Sequence, residues 1–315
     1  MAGRIAALLA VLVLVAGCAS SSNPPAEPEA TGQSAAASPT PTPSPTPTPP
    51  PQLPGGGREL LPAHRLCGFV GYPGALGQGR LGIGAIEDRM AELHDTCAPF
   101  GVDRAVMPVM ELIAVTVQPQ PGPDGMWRDR VDPAIIDEWL SVAREHGALL
   151  LLDIQPGQAE FLDEVKVLER YLVQPDVGVA LDPEWSMGPG QIPMQSFGST
   201  SGEELDQVAA YLSDLVTSHD LPEKPMVYHI LHPSIITNED ALQPHPGIVL
   251  IKSVDGIGAP ADKISTYQQV SATVPPHVHM GFKLFFDEDM QTSGVLMSPA
   301  DVLALTPVPD YVLYE

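Results

Sequence analysis

Eight short apolar runs alternate with helical patterns along this chain, and that alternation constrains its fold more than any other feature. The runs are Cys67–Tyr72, Ala105–Glu111, Ala148–Gln155, Val177–Glu184, Met226–Leu231, Gly247–Ser253, His279–Phe286 and Asp310–Glu315. Between them, Ile86–Ala98 carries Met90, Leu93 and Cys97 at helical spacing. Asp132-Pro133 reads as a cap followed by a first-turn proline, opening a helix over 133–146. Phe161–Leu172 is amphipathic, and Ser201-Gly202-Glu203-Glu204 reads as a capping box opening Ser201–His219. Pro260–Ala272 and the Ser298-capped Pro299–Leu305 follow, with a weaker helical pattern over Ile236–Leu242. Strands alternating with helices form parallel βαβ units. Eight of them within about 255 residues favour an α/β closed (β/α)8 barrel, the TIM-barrel arrangement, over an open doubly wound sheet. No helical pattern follows the last run, and the segment around Glu59–Arg65 is expected to cover the gap this leaves.

Within that frame the fourth run, Val177 to Trp185, stands out. At period two, Gly178, Ala180, Asp182 and Glu184 share one face, and Val177, Val179 and Leu181 share the other. Branched aliphatics suit the side of a barrel strand that packs on helices. Small residues followed by acids suit the inner side and its C-terminal end.

The N-terminus has a different character. Arg4, an apolar run over Ile5–Ala16 and then Gly17-Cys18 read as a secretory signal over residues 1–18, too short for a span that stays in place. Residues 19–60 are Ser, Ala, Pro and Thr rich, centred on TPTPSPTPTPPPQ. They hold too few large apolar side chains to build a core and favour extended polyproline II, at roughly 3.1 Å per residue. The folded domain is therefore expected over 61–315. The stretch Leu14-Val15-Ala16-Gly17-Cys18 resembles the lipobox of bacterial lipoproteins. That resemblance implies lipidation at Cys18, a membrane anchor and an extracytoplasmic location. A net charge of −24 argues against nucleic acid and against anionic headgroups as partners. Cys67 and Cys97 remain as an even pair in an exported domain, which favours a disulfide over two buried thiols. A monomer is expected.

Barrel enzymes assemble their sites where the strands end. The ends here carry Tyr72, Glu111, Asp153, Gln155, Asp182, Glu184, Trp185, Tyr228, His229, Lys252, Asp255, Lys283, Asp287 and Glu315. Turns call for Gly, Asn, Asp and Ser, so Glu, Lys, His, Tyr and Trp at these places point to a site. Asp182 and Glu184 on one strand face would stand roughly 6–7 Å apart, and like charges that close raise one pKa. Glu184 is then the expected proton donor and Asp182 its modulator. The other strand-end residues are expected to bind substrate, with Trp185, Tyr72, Phe285 and Phe286 offering faces for sugar rings.

An Asp-x-Glu at the end of strand four is similar to glycoside hydrolases of the chitinase type (family 18) and the barrel-lysozyme type (family 25). In the chitinase motif D-x-x-D-x-D-x-E the last two acids fall on Asp182 and Glu184, while the first two fall on Val177 and Ala180. The barrel lysozymes resemble the chain at Asp182-Pro183-Glu184 but expect an Asp on strand one, which CGFVGYPG lacks. The large clan of retaining barrel glycosidases places a Glu nucleophile on strand seven, where this chain has Lys283 and Asp287. The resemblance implies acid-assisted cleavage of an envelope or extracellular glycan, or, with those departures, a non-catalytic glycan-binding lipoprotein. A lesser alternative is a Schiff-base lyase, since the sequence around Lys252 resembles the lysine strand of class I aldolases. Gly77-Gln78-Gly79-Arg80-Leu81-Gly82 matches G-x-G-x-x-G, but is read as a flexible loop with no cofactor. His229 and His232 would face opposite sides of a strand, so no metal is expected.

Overall fold

The computed structural model of the protein describes residues 49–315. The expected signal over 1–18, with Cys18, and the expected tether up to residue 48 lie outside the described residues. Eight parallel strands close into a barrel: β1 His64–Gly71, β2 Ala105–Val117, β3 Leu149–Ile154, β4 Val177–Leu181, β5 Lys224–Ile230, β6 Ile248–Val254, β7 His279–Leu284 and β8 Tyr311–Tyr314. Each pairs with its sequence neighbour, and β8 closes on β1 through Leu66–Phe69 against Tyr311–Tyr314.

Side-chain alternation sorts the strands into two apolar layers. Phe69, Leu112, Leu152, Val179, Met226 and Val312 belong to an outer layer beneath the helices. Leu66, Val109, Leu151, Ala180, Val227, Ile251 and Leu313 fill the barrel. The inward face of β4 must be small: a Cβ on Gly178 would lie 2.7 Å from Leu151 and Pro225.

The connecting helices are α1 Ile86–Cys97, α2 Pro133–Glu145, α3 Phe161–Val167, α4 Glu169–Leu172, α5 Gly202–Ser218, α6 Pro260–Ser271, α7 Glu288–Ser293 and α8 Pro299–Leu303. Asp132 caps α2 through Ala134 N at 2.9 Å, with Pro133 in the first turn. Ser298 and Asp301 form a full capping box on α8. Ser201 forms only half of one on α5, because the Glu204 carboxylate is taken by Phe161 N and the Thr200 hydroxyl. The expected helix over Phe161–Leu172 breaks at Leu168. The expected helix over Ile236–Leu242 is instead a two-residue strand, Ile236–Thr237, paired with Thr200–Ser201 and followed by a 3-10 turn at Glu239–Ala241.

Cys67 and Cys97 form a disulfide, with Cα atoms 5.7 Å apart, that ties the outer face of β1 to the end of α1. The segment before β1 does not cover the flank of the barrel as expected. Leu53 and Leu60 enter the inner apolar layer, so the fold begins before residue 61. Leu60 N donates to Glu223 Oε2 at 2.6 Å and Arg58 pairs with Asp220 at 2.8 Å, which fixes this segment beneath the start of β5. The flank at β8 is covered by rings: Phe69, Phe100 and Phe286 surround Tyr314 at centroid distances of 6.0, 6.4 and 5.0 Å.

Candidate active site

A cleft of about 590 Å³ opens over the C-terminal strand ends. Its floor is built at the ends of β3, β4, β6, β7 and β8, which supply Asp153, Asp182, Asp255, Lys283 and Glu315. Asp182 and Glu184 reach it in a way that strand alternation does not describe. The strand stops at Leu181, because Pro183 cannot continue the ladder, and Pro183–Trp185 forms a 3-10 turn. Trp185 N donates to Asp182 O at 3.0 Å, which holds that turn. Both acids are thereby buried at the cleft floor, and Trp185 rises at its side.

A chain of charges crosses the barrel and rises from beneath the floor into it. The Tyr311 hydroxyl donates to Glu111 at 2.6 Å, and His229 bridges Glu111 at 3.1 Å and Asp255 at 2.9 Å. Lys283 joins Asp255 at 3.2 Å to Glu315 at 2.6 Å. Burial works against a charge on His229, but the flanking carboxylates outweigh it and hold the ring protonated well above the ordinary histidine range. Burial likewise opposes a charge on Asp255, yet His229 and Lys283 bring its carboxyl down to about 2. Lys283 keeps its charge for the same reason, through Asp255 and Glu315.

The remaining acids have no such partner. Burial, reinforced by Asp182 and Glu111, pushes Asp153 well above the carboxylate range. Burial raises Asp182 to about 6, moderated by His229, Lys283 and a 3.0 Å hydrogen bond from Gln155 Nε2. Gln155 is oriented for that role, since its oxygen accepts from Val117 N at 3.1 Å and from Thr116 at 3.2 Å. Burial, then Asp182 and Asp255, push Glu184 well above its ordinary value. Among the described residues, Asp153 Oδ1 and Glu184 Oε2 are buried and find no hydrogen-bond partner. Glu184 is thus a buried carboxyl lining the cleft that holds its proton more firmly than an ordinary glutamic acid does.

Asp153, Asp182 and His229 offer atoms within 4.8 Å of one another. They do not fit a metal ion: both ring nitrogens of His229 donate to carboxylates, and its positive charge would repel a cation.

Several sequence-predicted site residues lie elsewhere. Tyr228 and Lys252 face outward from the barrel, where Glu239 accepts from both, at 2.8 and 2.7 Å. This placement takes Lys252 out of the cleft. Glu111 and His229 belong to the layer beneath the floor and do not line the cleft. Tyr72 packs between the two apolar layers, Phe286 stacks on Tyr314, and the exposed Asp287 borders a separate small groove with Glu315. Asp153, Gln155, Asp182, Glu184, Trp185, Asp255, Lys283, Phe285 and Glu315 do meet in the cleft. Two glycines of the Gly77–Gly82 stretch serve close packing, since a Cβ on Gly79 would lie 2.4 Å from Val70 O and one on Gly82 2.0 Å from Tyr72 O, while Gly77 lines the cleft.

Sequence reasoning missed Met194, Phe197, Ile257 and Lys263, all of which line the cleft. The first three lie on loops without periodicity, so no local pattern marks them. Lys263 is on α6 and pairs with Asp289 at 2.9 Å, and its ammonium lies 5.1 Å from the centre of the Phe285 ring. A lysine in the first turn of a helix, where the dipole disfavours it, was the available signal.

Fold and site together define a class: a (β/α)8-barrel protein whose cleft holds a buried carboxyl of raised pKa beside a second carboxyl. No protein-family model matches the chain, and no curated protein matches it in sequence.

Proposed function

We propose that this is a lipid-anchored, extracytoplasmic glycoside-hydrolase-like protein that cleaves an envelope or extracellular glycan with Glu184 as general acid. One observation carries the reading: Glu184 lines an open cleft while buried enough, and close enough to Asp182 and Asp255, for its carboxyl to be pushed well above the ordinary range. Glycosidic cleavage needs a donor of this kind on the leaving oxygen, and positive charge then develops on the sugar ring. Asp182, half-ionised at about pH 6, supplies the adjacent negative charge, and its hydrogen bond from Gln155 fixes its direction. Trp185 and Phe285 offer apolar faces beside the acids. The lipid anchor rests on the likeness of Leu14–Cys18 to a lipobox.

The second reading, an envelope lipoprotein that binds glycan without cleaving it, has its own support. The β7 position that carries a nucleophile in many barrel glycosidases is Lys283 here, locked between Asp255 and Glu315. Glu184→Gln separates the two, since it keeps the shape and removes the proton donor. The hydrolase reading expects turnover on an envelope polysaccharide to fall by at least about 100-fold, the usual contribution of a general acid, with binding retained. Wild-type protein that binds glycan but releases no reducing ends would establish the binding reading instead.

A further inference from the structure

The cleft has two chemically distinct zones. Its floor is acid and lysine, and its rim is apolar and exposed. Met194, Phe197 and Ile257 line the cleft yet are 63%, 55% and 56% exposed. Trp185 meets Phe197 edge-on at 5.9 Å. Exposed apolar side chains gathered on one rim mark a binding surface more often than scattered ones do. Met194 also sits at φ +68°, in the left-handed region that side-chain-bearing residues seldom adopt. Such backbone cost, with no burial gained, belongs to functional loops.

The rim is held in place. Gln191 accepts from Gly188 N at 2.6 Å and donates to Phe197 O at 3.3 Å, and Gln158 holds Gln191 O at 2.9 Å. Gly198 N donates to Glu184 O at 2.7 Å, so the rim loop is tied to the catalytic turn itself. Sugar rings are met by flat aromatic faces, which methionine and isoleucine lack. Flexible aliphatic side chains suit a hydrocarbon chain. A net charge of −24 opposes docking of this face on an anionic bilayer, which favours a single ligand's chain as the occupant.

The geometry points to an amphiphile as the ligand: a hydroxyl-rich, uncharged head on the acid floor and an alkyl chain leaving across Trp185, Met194, Phe197 and Ile257. This rests on the sugar-cleaving reading of the floor, and the substrate class becomes an alkyl-bearing glycoside. A rim of this kind binds the chain end whether or not the head is cleaved.

The test uses the mature chain from residue 18 with Cys18→Ser, so that no lipid of its own competes. Binding of methyl, hexyl and octyl β-glucosides is measured by titration calorimetry below their micelle concentrations, together with octyl tetraethylene glycol. Affinity is expected to rise by up to about fourfold per methylene that the rim buries. The double substitution Met194→Ser with Phe197→Ser is expected to flatten the series, and both positions are exposed enough to leave folding intact. Affinity independent of chain length, an equal rise in the double variant, or no binding of either octyl compound would overturn the proposal. So would rim-dependent binding to phosphatidylcholine vesicles, or a rim-dependent dimer in sedimentation, without a chain-length effect on the glucosides. Equal affinity for octyl glucoside and octyl tetraethylene glycol would support the chain site while counting against a sugar head, so the two readings fail separately.

Discussion

Glu184 is pushed well above the ordinary carboxyl range because burial and the charges of Asp182 and Asp255 outweigh a backbone hydrogen bond and the attraction of His229. Asp255 lies in the same cleft and is fully ionised, because His229 and Lys283 touch it. The contrast is one of partners, since both groups are buried. Asp182 falls between them, and this gives a stability signature. Its pKa is raised by burial from 3.8 to about 6 in the folded protein, so the unfolded chain gives up its proton first as pH rises. A raised pKa contributes stability that is present below about pH 4 and lost as pH climbs through about 6. Asp182→Asn removes that loss. Relative to the wild type, the variant should gain at most about 3 kcal/mol between pH 4 and pH 7.5. Urea unfolding at the two pH values measures the difference, and a variant whose relative stability does not change with pH would show that Asp182 is not held protonated.

At the scale of elements, the turn after β4 does most of the positioning. Pro183 ends the strand one residue before the acids matter, so Asp182 and Glu184 meet the cleft from a 3-10 turn. The rim loop that follows is fastened to that turn through the hydrogen bond from Gly198 N to Glu184 O. On the far side of β1, the Cys67–Cys97 bridge closes a 30-residue separation and touches nothing in the cleft. In the chain-entropy account such a loop contributes about 3–4 kcal/mol. Cys67→Ser with Cys97→Ser should lower the unfolding free energy by about that amount without changing glycan affinity. An affinity change as large as the stability change would show that the bridge also shapes the site.

For the whole molecule, barrel closure is what makes the charge chain possible. Glu111 on β2, His229 on β5 and Tyr311 on β8 are far apart in sequence and join only because the sheet returns on itself. The segment at 53–60 seals the opposite end, with Leu60 fully buried among inward-facing strand residues. Leu60→Ala should cost about 2–5 kcal/mol, as for other buried leucines, and shift the single cooperative unfolding transition. A cost near zero would mean that the segment covers the barrel floor without contributing to its core.

Much was legible from residues alone because the signals are local. Alternation of period two and helical spacing depend on neighbours a few positions away, and they placed eight strands and their inner and outer faces, whereas Asp182 and Glu184 reach the cleft through the turn at Pro183. The same alternation, applied strictly, would also have turned Tyr228 outward, since His229 beside it points in. Lys252 follows by register, paired with Tyr228 across the sheet. The rest depended on contacts between distant residues. Which carboxyl is charged follows from which lysine or histidine the closed barrel brings against it. The rim of Met194, Phe197 and Ile257 comes from loops with no period, whose course is set by hydrogen bonds such as those of Gln191. Strand count and facing are properties of short stretches of chain, whereas charge state and cleft lining belong to the packed whole.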